Sequence, residues 1–506
     1  MKNRFQTPAL LLLFLTFFTY NCKPESLNNQ CDVKSDSFFS NLIFQAVTTA
    51  ESYHCGYNLV NIPPFGYKYS NYRLYLNFPV SIIPRHPKNS SYSIQGVLPA
   101  GLSFDGATGE IRGTATAITP ATNLTITKSS PGFGIVTITL QVVDTSATMV
   151  YGQYGFYHCA NNYNDGACAP GGPVTNQNLS SPYGVVADSS GGVYVSGVNR
   201  IQYYPPNTIS STKVYGQFGV FACDTANVLS AGSCSVATVN ANSLNSIRGL
   251  ALDSNENLYG VDTANHRVLF YPKESFTATN VYGQAGFVTA ISGPVSESTM
   301  NTPLGVAQNS EGIYVSESAN HRILFFPHGS TKPSRLYGQS NFTSNTPSVS
   351  NIKMSSPYGM SLDSEGGLYV ADSGNSRVLY FPSGSTTATR VYGQSDFDTS
   401  GGGAASPTTL TGPTRVALDQ SDKLFVADTT NNRVVMYPRT TQTAGIAAVA
   451  VFGQFNNLNC GAPNNDGVCG GPIVGPKSLS SPTGLFFNQS GQLYIADRQN
   501  NRVLVY

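Results

Sequence analysis

Tryptophan is absent from this chain of 506 residues, and charge is scarce. Charged residues make up 11 %, against roughly 25 % in an average globular chain. Lys+Arg is 28 and Asp+Glu is 27, so the formal charge is +1. Without a basic surplus there is little to set against a phosphate backbone, which excludes nucleic acid as the expected partner. After the N-terminal residues no apolar stretch reaches the length of a spanning helix. What is abundant is Gly 49, Pro 30 and Tyr 29, beside many Ser, Thr and Asn. That composition predicts many turns and short strands, with hydroxyls and amides covering a neutral surface. The length is too great for one ordinary domain.

Lys2 and Arg4 precede an apolar run from Ala9 to Phe18, too short and wrongly flanked to span a membrane. The following Thr19-Tyr20-Asn21-Cys22 resembles a bacterial lipoprotein cleavage site of the looser, spirochaete type, with Thr19 and Asn21 where Leu and Gly or Ala are common. The resemblance implies a signal peptide at 1–21, lipidation of Cys22, and an exported lipoprotein of the cell envelope, at the outer membrane or surface. An ordinary secretory signal with a chance cysteine is the alternative. Nine cysteines are an odd count for an exported protein. Setting Cys22 aside leaves four close pairs: Cys31 and Cys55, Cys159 and Cys168, Cys223 and Cys234, Cys460 and Cys469. An oxidising compartment permits four disulfides. Zinc is the rival, but the spacings lack the short knuckle of structural zinc sites.

One phrase recurs. Tyr151-Gly-Gln153 returns at Tyr215, Tyr282, Tyr337 and Tyr392, and as Phe452-Gly-Gln454, at intervals of 64, 67, 55, 55 and 60 residues. Between the copies lies a second phrase, clearest as Pro357-Tyr-Gly-Met-Ser-Leu-Asp363, Gly367-Leu-Tyr-Val370, then Asp372, Asn375, Arg377 and Val-Leu-Tyr-Phe-Pro382. It has six copies. Each reads as short strands rich in Val, Leu and Tyr, separated by Gly, Asn, Asp and Ser turns. Four short strands repeated six times describe a six-bladed β-propeller. The Tyr-Gly-Gln strand precedes the first core and is missing after Tyr506, so residues 149–156 are expected to complete blade six and close the ring.

Residues 149–506 resemble the NHL-repeat family of propellers. The marks are the glycine before the inner strand, the Leu/Val-Tyr-Val strand and an Asp-x-x-Asn-x-Arg turn. The turn appears as Asp262, Asn265, Arg267; Asp372, Asn375, Arg377; Asp428, Asn431, Arg433; and Asp497, Asn500, Arg502. In blade three Glu317 stands with Asn320 and Arg322. Blade one departs: Ser196-Gly-Val-Asn199-Arg200 is two residues shorter and has no acid. Blade five has Arg415 near the place of the early glycine. A group needed once for catalysis would not recur in five blades, so these turns read as structural, with the arginine bridging its carboxylate bidentately.

Residues 57–147 have another texture. Val97-Leu-Pro-Ala-Gly-Leu-Ser-Phe-Asp-Gly-Ala-Thr-Gly109-Glu-Ile-Arg-Gly113-Thr114 resembles the signature of a family of bacterial Ig-like domains, and Ile135 to Val143 alternates as a sandwich strand does. The resemblance implies a small β-sandwich acting as spacer or adhesive module; an extension of the propeller without its own core is the alternative. Residues 22–56 read as a lipid-anchored tether stapled by Cys31 and Cys55.

No catalytic residue and no cofactor emerges. There is no Gly-x-Ser-x-Gly elbow, phosphate loop or His-Glu-x-x-His helix. His266 and His321 share a turn slot held elsewhere by Ser376 and Asn432, and read as interchangeable surface residues; His54, His86, His158 and His328 show no metal spacing. Asp188, Asp253, Asp363 and Asp419 share another slot with Asn309 and Asn488 and read as turn caps, not ligands. Asn162 to Gly166 and Asn464 to Gly467 look loosely like calcium loops but lack the full pattern. Strand alternation puts the long connections, near 157–181, 221–247, 288–302, 343–356, 398–412 and 457–481, on one face. Elaborated loops on a rigid scaffold are the usual place for recognition. The leading expectation is a binding or scaffold protein for a protein or glycan. A calcium- or zinc-assisted lyase or hydrolase in the channel is the alternative.

The anchor generates the first prediction. Cys22→Ser is expected to move the exported protein from the detergent phase to the aqueous phase in phase partitioning, because stable attachment needs the acyl chains. Equal partitioning of both proteins into the aqueous phase would remove the anchor.

Overall fold

The computed structural model describes residues 65–506 except 86–90, 131–133, 164–165, 231–232, 237 and 472. The expected signal segment, Cys22 as expected lipidation residue, the expected tether with Cys31 and Cys55, His54 and His86 lie outside the described residues.

Six antiparallel four-stranded sheets form the propeller. Blade one comprises Val185–Ala187, Val193–Ser196, Ile201–Tyr204 and Lys213–Tyr215. Blades two to five repeat this arrangement, with inner strands Ile247–Leu252, Pro303–Asn309, Pro357–Leu362 and Pro413–Leu418. Blade six takes Pro482–Phe487, Leu493–Asp497 and Arg502–Val505 from the C-terminal end, and Met149–Gly152 as its outer strand. The closing register pairs Met149 with Val505, Val150 with Leu504, Tyr151 with Val503 and Gly152 with Arg502. The inner strand of blade one packs against those of blades two and six, so the ring is complete.

Aromatic rings join each blade to the next. The aromatic of the Tyr-Gly-Gln phrase, at the end of an outer strand, meets the aromatic ending the third strand of the following blade. Tyr151–Tyr204, Tyr215–Tyr271, Tyr282–Phe326, Tyr337–Phe381, Tyr392–Tyr437 and Phe452–Tyr506 are all edge-to-face, with centroids 5.0, 5.3, 5.4, 5.4, 5.2 and 5.0 Å apart. That is the favoured aromatic geometry. The glycine of the phrase sits at positive φ, and at Gly216 a Cβ would lie 2.4 Å from Leu244. Leu179, Leu244, Met300, Met354, Leu410 and Leu479 are buried near these glycines.

Before the propeller, a four-stranded sheet in the order Asn71–Tyr75, Gly134–Val143, Thr119–Ser130, Ser91–Gln95 accompanies a three-stranded sheet of Pro79–Ile82, Ile111–Thr114 and Leu102–Phe104. Alternation along Gly134–Val143 buries Ile138, Leu140 and Val142 and exposes Ile135. Leu124 and Ile126 from the neighbouring strand and Val80, Ile82 and Ile111 from the other sheet are also buried. This Ig-like sandwich rests on blades five and six. Tyr75 and Phe78 pack on Phe452, with ring centroids 5.2 and 5.0 Å away. Tyr75 Oη lies 3.3 Å from the Tyr506 carbonyl, and Lys423 Nζ donates to the Pro79 carbonyl at 2.6 Å. Lys423 lies in a short turn of the propeller and Phe452 on the outer strand of blade five, while Asp144, before the first propeller strand, pairs with Lys477 of the long loop entering blade six at 2.9 Å.

Closure generates the second prediction. If the seam between blades six and one is an ordinary blade interface, Tyr151→Ala costs as much stability as Tyr282→Ala at an interior seam. Both remove a buried ring from an aromatic pair, a loss on the order of 3–5 kcal/mol. Thermal unfolding of the whole chain is expected to show similar drops in one cooperative transition; a drop for Tyr282→Ala alone would mean that the ring is open.

Candidate recognition face

The face of long loops is organised from beneath by six buried arginines, one from each blade: Arg200, Arg267, Arg322, Arg377, Arg433 and Arg502. Each starts or immediately precedes the third strand, so its side chain rises into the loops. Nη2 of Arg267 donates to the carbonyls of Asn240 and Ser243, in the loop entering its blade, and Nη1 donates to Phe287, in the loop leaving it. The pattern recurs. Arg322 holds Ser296, Thr299 and Phe342; Arg377 holds Ser350, Lys353 and Phe397. Arg433 holds Ser406, Thr409 and Leu458; Arg502 holds Gly475, Ser478 and Tyr157; Arg200 holds Thr175, Asn178 and Phe221. Every long loop is therefore tied to two consecutive blades.

The repeat acid neutralises the guanidinium at one point only. Nε of Arg267, Arg377, Arg433 and Arg502 donates to Oδ2 of Asp262, Asp372, Asp428 and Asp497 at 2.7–2.8 Å, and Arg322 Nε meets Glu317 at 2.5 Å. Both partners are fully buried in each pair. This corrects the bidentate expectation. The guanidinium ends are taken by loop carbonyls, and the second carboxylate oxygen of Asp262, Asp372, Asp428 and Asp497 accepts the backbone N–H of Asn245, Ser355, Thr411 and Ser480. Asn265, Asn320, Asn375, Asn431 and Asn500 complete the shell by donating to the same acids. Burial pushes each carboxyl up, and its arginine pulls it down.

Blade one finds its acid elsewhere. Asp224, beside Cys223 in the loop entering blade two, accepts the Asn199 backbone N–H at 3.2 Å and the hydroxyl of Tyr163 from the preceding loop. Burial raises its carboxyl, while Tyr163 and the Arg200 charge lower it. Neither Asp224 nor Tyr163 was singled out by the repeat, because each lies in a loop outside it. The available signal was indirect: an arginine in a repeat slot whose acid is missing requires compensation nearby.

Three loops carry disulfides, Cys159–Cys168, Cys223–Cys234 and Cys460–Cys469. They enter blades one, two and six, which are consecutive around the ring. The loop entering blade two also holds a hairpin of Val228–Ser230 with Ser233–Val236. Side-chain amides tie two stapled loops to their blades: Asn227 with Asn265, and Asn464 with Asn500, each pair donating both ways. His158 lies close to Cys159 and Cys168, whose sulfurs are bonded to one another. Asn164 and Asp165 lie outside the described residues. In the other suggested calcium loop, Asn465 and Asp466 accept backbone N–H groups of Gly467, Val468, Cys469 and Gly470.

The acids of the other repeat slot cap turns on the opposite face. Asp188, Asp253, Asp363 and Asp419 accept the N–H groups of Gly192, Asn257, Gly367 and Lys423 at 2.7–2.9 Å. Asn309 and Asn488 do the same for Gly312 and Gln492.

His266 and His321 do more than decorate turns, which corrects their reading as surface residues. Both are half-buried in left-handed backbone, and Nδ1 of each accepts a backbone N–H from the next blade, Thr302 at 3.1 Å and Ser356 at 3.0 Å. Asn199, Ser376, Asn432 and Asn501 accept equivalent bonds from Ser246, Gly412, Ser481 and Ser181. Six such bonds circle the ring. The glutamine of the Tyr-Gly-Gln phrase donates to the carbonyl of the same slot residue and to a loop carbonyl, as Gln284 does to His266 and Ile291.

An acceptor Nδ1 must be unprotonated, and burial lowers both imidazoles from 6.5. The unfolded chain therefore takes up protons first. The contribution is fully present above about 6.5 and declines as the pH falls through that value toward the lower folded one. His266→Asn with His321→Asn, the residue that blades five and six use, is expected to lose less melting temperature than wild type between pH 7 and pH 5. Parallel pH curves for the two proteins would discount the bonds.

Comparison with known proteins gives two segment matches. Residues 58–149 match the family described as Putative Ig domain, and residues 479–506 match the NHL repeat. No curated protein matches the chain. Among solved structures, a structural genomics protein of unknown function from Bacteroides thetaiotaomicron VPI-5482 is 13 % identical with a TM-score of 0.47, covering 88 % of this chain and 98 % of that one. A streptogramin B lyase structure is 14 % identical with a TM-score of 0.40, covering 66 % of this chain and 96 % of that one. Virginiamycin B lyase from Staphylococcus aureus is 13 % identical with a TM-score of 0.37, covering 65 % and 96 %. The chain joins an Ig-like domain to a six-bladed propeller whose last blade matches the NHL repeat.

Proposed function

We propose that this protein is a binding or scaffold module of the cell envelope, held by a lipid on Cys22, which recognises a protein or glycan with the long-loop face of its propeller. The observation that carries the reading is the bracing of that face. Six arginines fix the loops from below, and three disulfides staple one arc of them. The disulfides also fit an oxidising, extracytoplasmic compartment. Each closes a short loop, with a chain-entropy gain of roughly 3 kcal/mol less any strain. A loop held in shape loses less entropy on binding. The face also presents exposed apolar side chains for contact, among them Val288, Ile291, Val468 and Ile473.

The test starts from a partner captured from envelope extract. Paired Cys→Ser changes in the three stapled loops are expected to lower the melting temperature and to weaken binding at a temperature where the variant propeller is still folded. Full binding by these variants, with loss in chains shortened at 288–302 or 343–356, would put the site on the opposite arc.

A further inference from the structure

The inner strands show a departure from the repeat that the loop-face reading does not use. The residue before the early glycine is Tyr183, Arg248, Leu304, Tyr358, Thr414 or Thr483 in blades one to six, and the glycine slot holds Gly184, Gly249, Gly305, Gly359, Arg415 and Gly484. The glycines are required by close approach: a Cβ on Gly305 would lie 2.3 Å from the Tyr358 carbonyl, and one on Gly484 2.3 Å from that of Tyr183. In blade five the slot instead sends a long cationic side chain across the ring. Arg415 Nη2 donates at 3.2 Å to the carbonyl of Leu250, in the blade opposite, and its chain passes over Gly359, where a Cβ would lie 2.5 Å from Arg415 Cδ.

Two further arginines converge there. The Arg248 guanidinium stacks 3.5 Å from the Tyr183 ring centroid, and that of Arg498, from the turn of blade six, lies 4.8 Å from the same ring. Tyr358 feels the charges of all three. Its phenol is nevertheless pushed up by burial, so it keeps an O–H to donate. Arg415 is pushed down by burial to about 10, which leaves it charged at neutral pH. The buried repeat arginines 267, 322, 377, 433 and 502 each have a carboxylate. Among the described residues these three have none within ion-pair distance, and Nε of Arg248 and of Arg498 is buried with no hydrogen-bond partner. Arg248 and Arg498 repel one another, and cations with unspent donors are costly to bury. An anion supplied from outside would offset that cost.

We propose that the mouth of the propeller channel, on the long-loop face, is a binding site for an oxyanion group, a carboxylate or a phosphate, taken by Arg248, Arg415 and Arg498 with the hydroxyl of Tyr358. Guanidinium is suited to both groups because its planar fork matches two oxygens. Inner strands run from the long-loop face inward. Arg415 therefore lies one residue deeper than Arg248 and forms a floor, and Arg498 stands at the rim. A small anion, or the acidic end of a longer ligand, enters from the loop side. The site stands independently of the stapled arc, and either can fail alone.

Sister blades supply variants suited to the fold. Thr414 and Thr483 occupy the slot of Arg248, five glycines that of Arg415, and Thr263 and Thr429 that of Arg498. The probes are inorganic phosphate and glucuronate, with glucose as the neutral control and chloride matching the ionic strength. Calorimetric titration of the full chain is expected to show saturable binding of at least one anion and none of glucose. Arg248→Thr, Arg415→Gly and Arg498→Thr are each expected to weaken it roughly ten- to hundred-fold, the scale of a charge-assisted hydrogen bond. Without ligand, the triple variant is expected to melt no lower than wild type, because like-charge repulsion is relieved. The arm that binds identifies the source of the oxyanion. No saturable binding of either anion to wild type, or equal binding by wild type and triple variant, would overturn the site; a lower melting temperature of the unliganded triple variant would show the arginines to be packing elements and overturn it as well.

Discussion

A buried guanidinium under every pair of neighbouring loops is the constraint on which the rest of this propeller depends. An arginine has five donors and no acceptor, so removing it from water requires several oxygens at once. The repeat turn supplies one, from Asp or Glu, and the long loops supply the others from their backbone. The loops also hold themselves with side-chain turns, as Ser296 with Thr299 and Asn178 with Thr175 do. Their carbonyls are fixed because the arginine must be satisfied. A charge inside the blade thus anchors each loop on the outer face at both of its ends.

A buried ion pair is weak evidence of stability in itself, since desolvation offsets much of its attraction. Removing one partner is another matter, because the remaining charge stays buried and costs about 3–5 kcal/mol. Blade one shows how that asymmetry is met. Its turn has lost both the acid and two residues, yet Arg200 is kept, and Asp224 with Tyr163 restores negative charge and geometry from two neighbouring loops. Both loops are disulfide-bonded, and Cys223 adjoins Asp224. Here the staple has a second use: it holds a compensating carboxylate that local sequence does not place.

The ring was legible because its signals are periodic. The Tyr-Gly-Gln phrase announces an outer strand each time, and its one copy without a preceding core implies the pairing of Met149–Gly152 with Arg502–Val505. Strand alternation was likewise readable in Ile138, Leu140 and Val142. Contacts across loops were not legible. The spacing of Asp262 and Arg267 says that they are close, but not that both ends of the guanidinium are claimed by carbonyls twenty or more residues away. The histidines were misread for a related reason. Ser, Asn and His exchange in one slot because each offers an acceptor to the next blade, and exchange among chemically different residues looks like indifference until that shared acceptor is seen.

Six blades also make the molecule its own control. Where the copies agree, the residue answers to the architecture, as the glycines in five of the six inner strands do through backbone contact. Where one copy departs and the fold repairs the departure, as at Arg200, the change is accommodated. Arg248, Arg415 and Arg498 belong to neither group. Their sister blades show that Thr or Gly serves the architecture at those places. The three departures occur in three different blades, yet closure of the ring brings all three near Tyr358, and two of them over the Tyr183 ring. Independent drift among neutral surface positions would scatter such charges. Convergence of cations in a channel, without the carboxylate that every ion-paired repeat arginine has, is instead what a site for an opposite charge requires.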